Sequence, residues 1–275
     1  MVRKLEMTVL IDNVAAEPLH SEWGLSILIS ADGRKILLDT GASGLFTENA
    51  ARLGIDLAGI DMGVLSHAHY DHADGLDAFF SRNQKAPFFV RDGAGETCYG
   101  VKDGIMRYNG IRKGILKEFE ARIQYVSGTQ QIADGIWLVP HRKADYSPIA
   151  LRNELYVLCR DEFCPDDFSH EQSLVIETEK GLVIFNSCSH TGLSNILADV
   201  REMLGRDDIW AYVGGLHLYK MTDEELTDLC EGIGRTAIEH ILTGHCTGEH
   251  AFNFLKAELG NRIEQFSSGL SCSFS

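Results

Sequence analysis

The chain has no apolar run long enough to span a bilayer, no C-x-x-C pair and no excess of basic residues. The first absence argues against a membrane-embedded protein, since a spanning helix needs about 20 consecutive apolar residues. Glu6 and Asp12 interrupt the first apolar stretch, so it is not expected to act as a secretory signal. Seven cysteines, an odd number without a framework spacing, point to reduced thiols and a cytoplasmic location. The 25 Lys and Arg face 40 Asp and Glu, which leaves a formal charge of −15. Nucleic-acid affinity comes from neutralising phosphates, so neither a nucleic acid nor a membrane surface is an expected partner. What is present is a 44% hydrophobic content over 275 residues, enough for a sizeable core.

One stretch concentrates chemistry. Ser66–Gly75 reads S-H-A-H-Y-D-H-A-D-G and contains H-x-H-x-D-H: His67, His69, Asp71 and His72. Three imidazoles and a carboxylate this close make a poor core and a good metal site. Imidazole with carboxylate suits zinc, or iron and manganese where the ligand set allows. Asp61–Leu65 just upstream reads as a short buried strand. Alternation along an extended backbone would point His67, His69 and Asp71 to one side. His72 would then turn in as a helix starts at about Ala73–Phe80.

Around this stretch the chain alternates strands and helices. Residues 5–11, Leu25–Ser30 and Lys35–Leu38 read as strands, the last two joined by a hairpin at Asp32-Gly33. Asp39 follows at a strand end. Leu45–Leu53 has helical spacing and stops at Gly54. Ala86–Val90 is another strand. Residues 91–131 are glycine-rich, carry Tyr99, Met106 and Tyr108, and end in a helical-looking Ile115–Ile123. Long loops in compact domains are usually functional, so this segment is expected to form a lid insertion. Gly135–Pro140 and Leu155–Cys159 read as strands, with His141, Arg142 and Lys143 between them. A capping-box pattern at Thr222 and Glu225 opens a helix over Glu224–Ile233, on a dimer face or in water.

A faint internal repeat aligns residues 26–41 with 173–188 without gaps. Each copy is strand, turn and strand, followed by a helix-like segment and another strand running to a histidine, His69 or His217. Two β-rich halves packed face to face, helices outside, satisfy the layer rules. The site is then expected at one edge, where strand ends of both halves meet.

The motif S-H-x-H-Y-D-H (66–72), with G-L-S-I-L-I-S (24–30), K-I-L-L-D-T-G (35–41), C-S-H-T-G (188–192), G-G-L-H-L (214–218) and T-G-H-C-T-G (243–248), resembles the metallo-β-lactamase-fold metallohydrolases. Within them it is similar to the 7,8-dihydropterin-6-methyl-4-(β-D-ribofuranosyl)aminobenzene-5′-phosphate synthase-like branch. The resemblance implies an α/β (α+β) four-layer αββα sandwich, one domain over residues 1–275. It implies that Asp39 orients a ligand rather than binding metal. Four ligands from one loop cannot close two coordination spheres. His190 is the best partner for His67 and His69, and His245 for Asp71 and His72. Where many relatives place a bridging aspartate, this chain has Asn186-Ser187-Cys188. Cys188 is therefore either a thiolate ligand or an inert buried thiol with His190 in its place, the second being favoured. His170, or its neighbour Glu171, is a candidate further ligand. Trp23 stands where the branch often has a histidine.

The implied function is a dinuclear metal-dependent hydrolase holding two divalent transition metals, zinc first and iron or manganese next. Such a pair holds a hydroxide at neutral pH. Asp71 would orient or deprotonate the water, and His217 would act on substrate or transition state. The expected substrate is a small anionic molecule, a phosphate ester or phosphodiester before a lactone, thioester or β-lactam. A net negative chain does not exclude it, because the metals supply local positive charge. A redox protein or a metal-retaining sensor are the alternatives, although diiron flavoproteins of this fold carry Glu where His69 stands. Homo-oligomeric assembly is left open.

Overall fold

The computed structural model describes residues 1–141 and 145–274; Arg142 and Lys143, expected between two strands, lie outside them. Alternating burial marks β1 (Leu5–Ile11), which pairs with β2 (Ser26–Ala31) and through it with β3 (Arg34–Leu38). The hairpin between β2 and β3 turns at Asp32 and Gly33, whose φ values of 48° and 84° match the twist of a two-residue turn. Then come α1 (Leu45–Arg52), β4 (Met62–Val64), α2 (Tyr70–Ala73), α3 (Leu76–Arg82) and β5 (Phe88–Arg91). The single helix expected near residues 73–80 is thus two, meeting at Gly75. A Cβ there would lie 2.2 Å from the Thr40 carbonyl oxygen, so only glycine allows this approach to the β3 strand end.

The middle of the chain supplies β6 (Cys98–Lys102), β7 (Ile105–Tyr108), α4 (Ile115–Glu118), β8 (Ile123–Val126), β9 (Gln130–Ala133), β10 (Ile136–Pro140), α5 (Ser147–Asn153), β11 (Leu155–Cys159) and β12 (Glu162–Pro165). Here the sequence expectation fails in two ways. The helix expected over Ile115–Ile123 is one turn, a 3₁₀ turn and the start of β8, because Ile123 pairs with Phe88 in the main sheet. The segment 91–131 is also no single insertion. Its β8 joins β5 and its β9 joins β10, while β6 and β7 form a small separate sheet with β11 and β12.

The last third holds β13 (Gln172–Thr178), β14 (Gly181–Phe185), α6 (Leu193–Leu204), β15 (Ile209–Val213), α7 (Asp223–Gly234), β16 (His240–Thr243), α8 (Glu249–Leu259), β17 (Ile263–Gln265) and β18 (Ser271–Ser273). Two seven-stranded sheets result, in the orders β18-β1-β2-β3-β4-β5-β8 and β17-β16-β15-β14-β13-β10-β9. Ile27, Ile29, Ile36, Leu38 and Val64 of the first pack against Leu174, Ile176, Val183, Phe185 and Val213 of the second. Phe46 of α1 and Leu76 and Phe79 of α3 cover Leu37 and Phe88 on the outer face of the first sheet. Ile196 of α6, Leu226 of α7 and Leu255 of α8 cover Val175, Ile184 and Tyr212 on that of the second. This is the four-layer αββα sandwich. No helix among the described residues is long and apolar enough to cross a membrane.

The two halves repeat in register. Ile36, Leu37 and Leu38 lie beside Met62, Gly63 and Val64, as Val183, Ile184 and Phe185 lie beside Ala211, Tyr212 and Val213. Parallel runs in both sheets therefore deliver their carboxyl ends, and the loops that follow, to one edge. Past the strands the copies slip. His69 lies five residues beyond Val64 (69 − 64), but His217 lies four beyond Val213 (217 − 213). The expected match of His217 to His69 is off by one.

Candidate metal centre

The metal loop follows β4. His69 is still extended (φ −97°, ψ 149°), and its backbone bridges to Gly110. His67 and His69 thus leave the chain on one side. Asp71 does not come from strand alternation, as expected, but from the turn of α2, which also brings in His72 as a helix start was expected to do. The tyrosine amide that opens α2 donates to the Asn109 carbonyl, so the small sheet's exit strand braces the loop.

Hydrogen bonds fix where the imidazole protons sit. The Ser66 hydroxyl donates to Asp39 Oδ2 at 2.6 Å, so Ser66 Oγ can only accept from His67 Nδ1, 2.8 Å away. His72 Nδ1 donates to Asp39 Oδ2 at 2.7 Å. Asn13 Oδ1 takes the Gly24 amide and faces His245 Nδ1 at 3.0 Å, so that nitrogen also donates. With the proton on Nδ1, each of the three rings turns Nε2 toward one interior point, where it offers a lone pair whenever the ring is neutral. His67 Nε2 and His69 Nε2 are buried with no partner. His72 Nε2 and His245 Nε2 lie 3.1 Å apart, and two lone pairs at that distance repel unless a cation or proton stands between them. Oδ2 of Asp71 is 3.4 Å from His245 Nε2 and 3.8 Å from His72 Nε2.

The second half closes the cluster. His190 has no partner at either ring nitrogen and stacks on Phe168, ring centroids 5.4 Å apart. Its backbone is held by Glu171, which accepts from the His190 amide at 2.7 Å and from the amide and hydroxyl of Thr191 at 3.0 and 2.6 Å. Glu171 has both oxygens committed and is a clasp, not the alternative ligand expected. Donor atoms of His67, His69 and His190 lie within 4.8 Å of one another. His217 is buried beside His190, ring centroids 4.3 Å apart, with both nitrogens unpartnered. Cys188 is not remote from the site: its Sγ is 3.2 Å from His72 Nε2 and 3.4 Å from Cys246 Sγ. His170 is committed elsewhere, Nδ1 accepting from the Ala68 amide at 3.2 Å and Nε2 facing Asp166 at 3.1 Å.

Asp39, Ser189, His217 and His245 all have positive φ, between 49° and 59°. Non-glycine residues there are strained, and such strain gathers at functional sites.

Burial, reinforced by neighbouring histidines, holds His67 and His190 well below the usual imidazole pKa, so both are neutral and ready to ligate. Burial pushes the Asp71 carboxyl up, but His72, His245 and His69 outweigh it and the net shift is downward. For His245 burial lowers the pKa, yet the Asp71 hydrogen bond, Cys246 and Asp12 raise it to about 9. Burial pushes the Cys188 thiol up.

Several contributors carried no sequence signal that singled them out. Cys98, from β6, lies against His69 and His170, and burial notwithstanding they lower its pKa to about 7. Asp166 anchors His170. Asp12 and Asn13 hold His245, with Asp12 Oδ1 accepting the His245 amide at 3.1 Å. These two had a cue: I-D-N closes β1 as L-D-T closes β3. A cavity of about 110 Å³ opens on the cluster past Trp23, Tyr70, Asn109 and Tyr219. A second, about 120 Å³, lies behind His190 and His217, lined by Ile149, Leu193, Leu216 and Met221.

The profile of the metallo-β-lactamase superfamily matches residues 24–146. A synthase of 7,8-dihydropterin-6-methyl-4-(β-D-ribofuranosyl)-aminobenzene-5′-phosphate from Methanocaldococcus jannaschii is 28% identical over 267 residues, 92% of this chain and 90% of its own length. A solved diphosphatase of the PhnP family, 15% identical with a TM-score of 0.55 over 98% of each chain, shares the fold. The solved structure of Tm1679, described as a metal-dependent hydrolase of the β-lactamase superfamily, is 30% identical, with a TM-score of 0.83 over 98% of this chain and 99% of that one. On that likeness, and on donors from both halves turned to one interior point, the chain belongs to the metallo-β-lactamase superfamily of metal-dependent enzymes.

Proposed function

We propose that the protein is a dinuclear metal-dependent hydrolase acting on a small anionic ester, a phosphate ester or phosphodiester first. One observation carries the reading: His67 Nε2, His69 Nε2 and both ring nitrogens of His190 are buried without partners, and beside them His72 Nε2 and His245 Nε2 lie 3.1 Å apart with Asp71 Oδ2 3.4 Å from the latter. His67, His69 and His190 would hold one cation, and Asp71, His72 and His245 the other, zinc before iron or manganese. Bound there, the pair would lower the pKa of water and polarise the bond under attack.

The chain's own groups do the rest. Asp71 orients the attacking water and takes its proton. His217 donates to the charge that develops on the substrate, or protonates the leaving group, because both its nitrogens are free and it borders both cavities. Arg152 Nε and Asn153 Oδ1, buried without partners, line the second cavity and offer polar contacts to an anionic substrate's organic portion. The apolar lining of that cavity favours a second reading, a lactone or thioester with an acyl body. A reducing, cytoplasmic setting suits seven free thiols.

Elemental analysis of gently purified, metal-supplemented protein, with a panel of chromogenic phosphate, phosphodiester, lactone and thioester substrates, tests the proposal. Two transition metals per chain and turnover of a phosphorus ester are expected. Absence of bound metal overturns the metal reading, and turnover of lactone or thioester alone overturns the substrate class.

A further inference from the structure

We infer that the Cys188 thiolate is a ligand shared by both cations. The inference rests on the dinuclear reading above and reverses the inert role the sequence favoured for this thiol.

Spacing carries it. In a tetrahedral site with bonds of about 2.0–2.3 Å, ligand atoms sit roughly 3.3–3.8 Å from one another. Cys188 Sγ to His72 Nε2 is 3.2 Å, His72 Nε2 to His245 Nε2 is 3.1 Å, His245 Nε2 to Asp71 Oδ2 is 3.4 Å, and His72 Nε2 to Asp71 Oδ2 is 3.8 Å. These four atoms are already spaced as the ligands of one cation. The same sulfur lies within 4.8 Å of the donors of His67 and His72, and separately of those of His190 and His217. It therefore borders the histidines of the other set as well.

The backbone holds it there. The Asn186 amide donates to the Val213 carbonyl at 3.0 Å, and Asn186 Oδ1 accepts the Ser189 amide at 2.8 Å, which ties down both sides of the Cys188 turn. Behind it, Cys246 Sγ is within reach of the Cys188 carbonyl and sulfur at 3.6 and 3.4 Å. Gly215 makes room for that second sulfur, since a Cβ there would lie 2.5 Å from it. Cys246 Sγ also lies within 4.8 Å of the donors of Cys188 and His245, so two thiols stand side by side at the cluster, and Cys188 is the one that also reaches His67, His72 and His190. On loading, the Cys188 S–H bond breaks, sulfur–metal bonds form, and the proton leaves to buffer.

Cobalt(II) titration of the metal-free full-length chain tests this by absorption and by bound stoichiometry. We expect two cobalt ions and a near-ultraviolet sulfur-to-cobalt charge-transfer band that grows through both equivalents. Cys188→Ser should lose the band, whereas Cys246→Ser should keep it; circular dichroism of each variant confirms folding. A band that stops growing at one equivalent overturns the sharing. A band that survives in Cys188→Ser, or two cobalt ions bound without a band, overturns the thiolate while leaving the dinuclear reading intact. Failure of the unmodified chain to bind cobalt overturns that reading itself.

Discussion

Asp39→Asn separates proton placement from backbone strain. Asp39 has a φ of 59°, and asparagine tolerates this region as well as aspartate, so the backbone is unperturbed. The substitution is also isosteric at a buried position. What changes is hydrogen-bond direction. Asp39 accepts three times: from the Ser66 amide at 2.7 Å, the Ser66 hydroxyl at 2.6 Å and His72 Nδ1 at 2.7 Å. An amide has one acceptor oxygen, so at least one of these donors would face an NH₂. If His72 is that donor, its ring relaxes by moving the proton to Nε2, and the lone pair aimed at His245 disappears. Loss of such an outer contact typically costs 10–100-fold in metal affinity, about 1.4–2.7 kcal/mol. Loss of a charge-assisted bond also removes about 2 kcal/mol of metal-free stability, roughly 4–8 °C in melting temperature for a chain of this size. Chelator competition gives the affinity and calorimetry the melting point. If both Asp39→Asn and Asp39→Ala, which leaves His72 Nδ1 no acceptor in either orientation, bind both metals within twofold of the unmodified chain, the proton assignment at His72 is wrong.

His217→Ala should keep both metals while turnover falls by roughly 10²-fold or more, the scale for a lost acid or oxyanion donor; loss of a metal with the side chain would make His217 a ligand instead. Metal uptake should carry a pH signature from His245, whose pKa of about 9 lies above the ordinary 6.5. A raised histidine pKa stabilises the metal-free fold fully below pH 6.5, and that contribution, up to about 3 kcal/mol, is lost as pH rises through 9. Apparent affinity for the cation at Asp71, His72 and His245 should rise about tenfold per pH unit over the same window, because binding displaces that proton. Calorimetric titrations in buffers of different ionisation enthalpy count it, and release of none at pH 7.5 would contradict the assignment. Glu171→Gln sets an NH₂ against the amide of either His190 or Thr191, which donate to different oxygens, so the cation at His67, His69 and His190 should be lost first; equal weakening of both cations, measured by stepwise chelation, would argue against a local clasp.

Local rules read much of this chain correctly because they act over a few residues. Period-two burial gives Leu5–Ile11, and Asp32-Gly33 gives the hairpin. The gapless match of residues 26–41 to 173–188 corresponds to paired β2-β3 and β13-β14. The readings that failed depended on distant partners. Ile115–Ile123 has helical spacing, but pairing of Ile123 with Phe88 overrides propensity. Gly75 divides a helix because Thr40 and Ser43, more than 30 residues away, press on its backbone. That His67, His69, Asp71 and His72 gather at one place was legible in H-x-H-x-D-H. The clasp role of Glu171 and the contact of Cys98 with His69 and His170 were not, since a contact with a remote loop leaves no local pattern.

The contact between His72 and His245 joins residues 173 positions apart. Its consequence concerns timing during synthesis. A nascent chain that has emerged only through α2 presents half a chelate: two imidazoles on an extended backbone, and a carboxylate and a third ring on a single turn. Neither Cys188 nor His245 yet exists to complete it. On the proposed ligand set, metal capture would wait until the second sheet has docked on the first, making the cation a late lock on an assembled sandwich rather than a seed for folding. An ion held by the first loop alone would be weakly kept and easily exchanged.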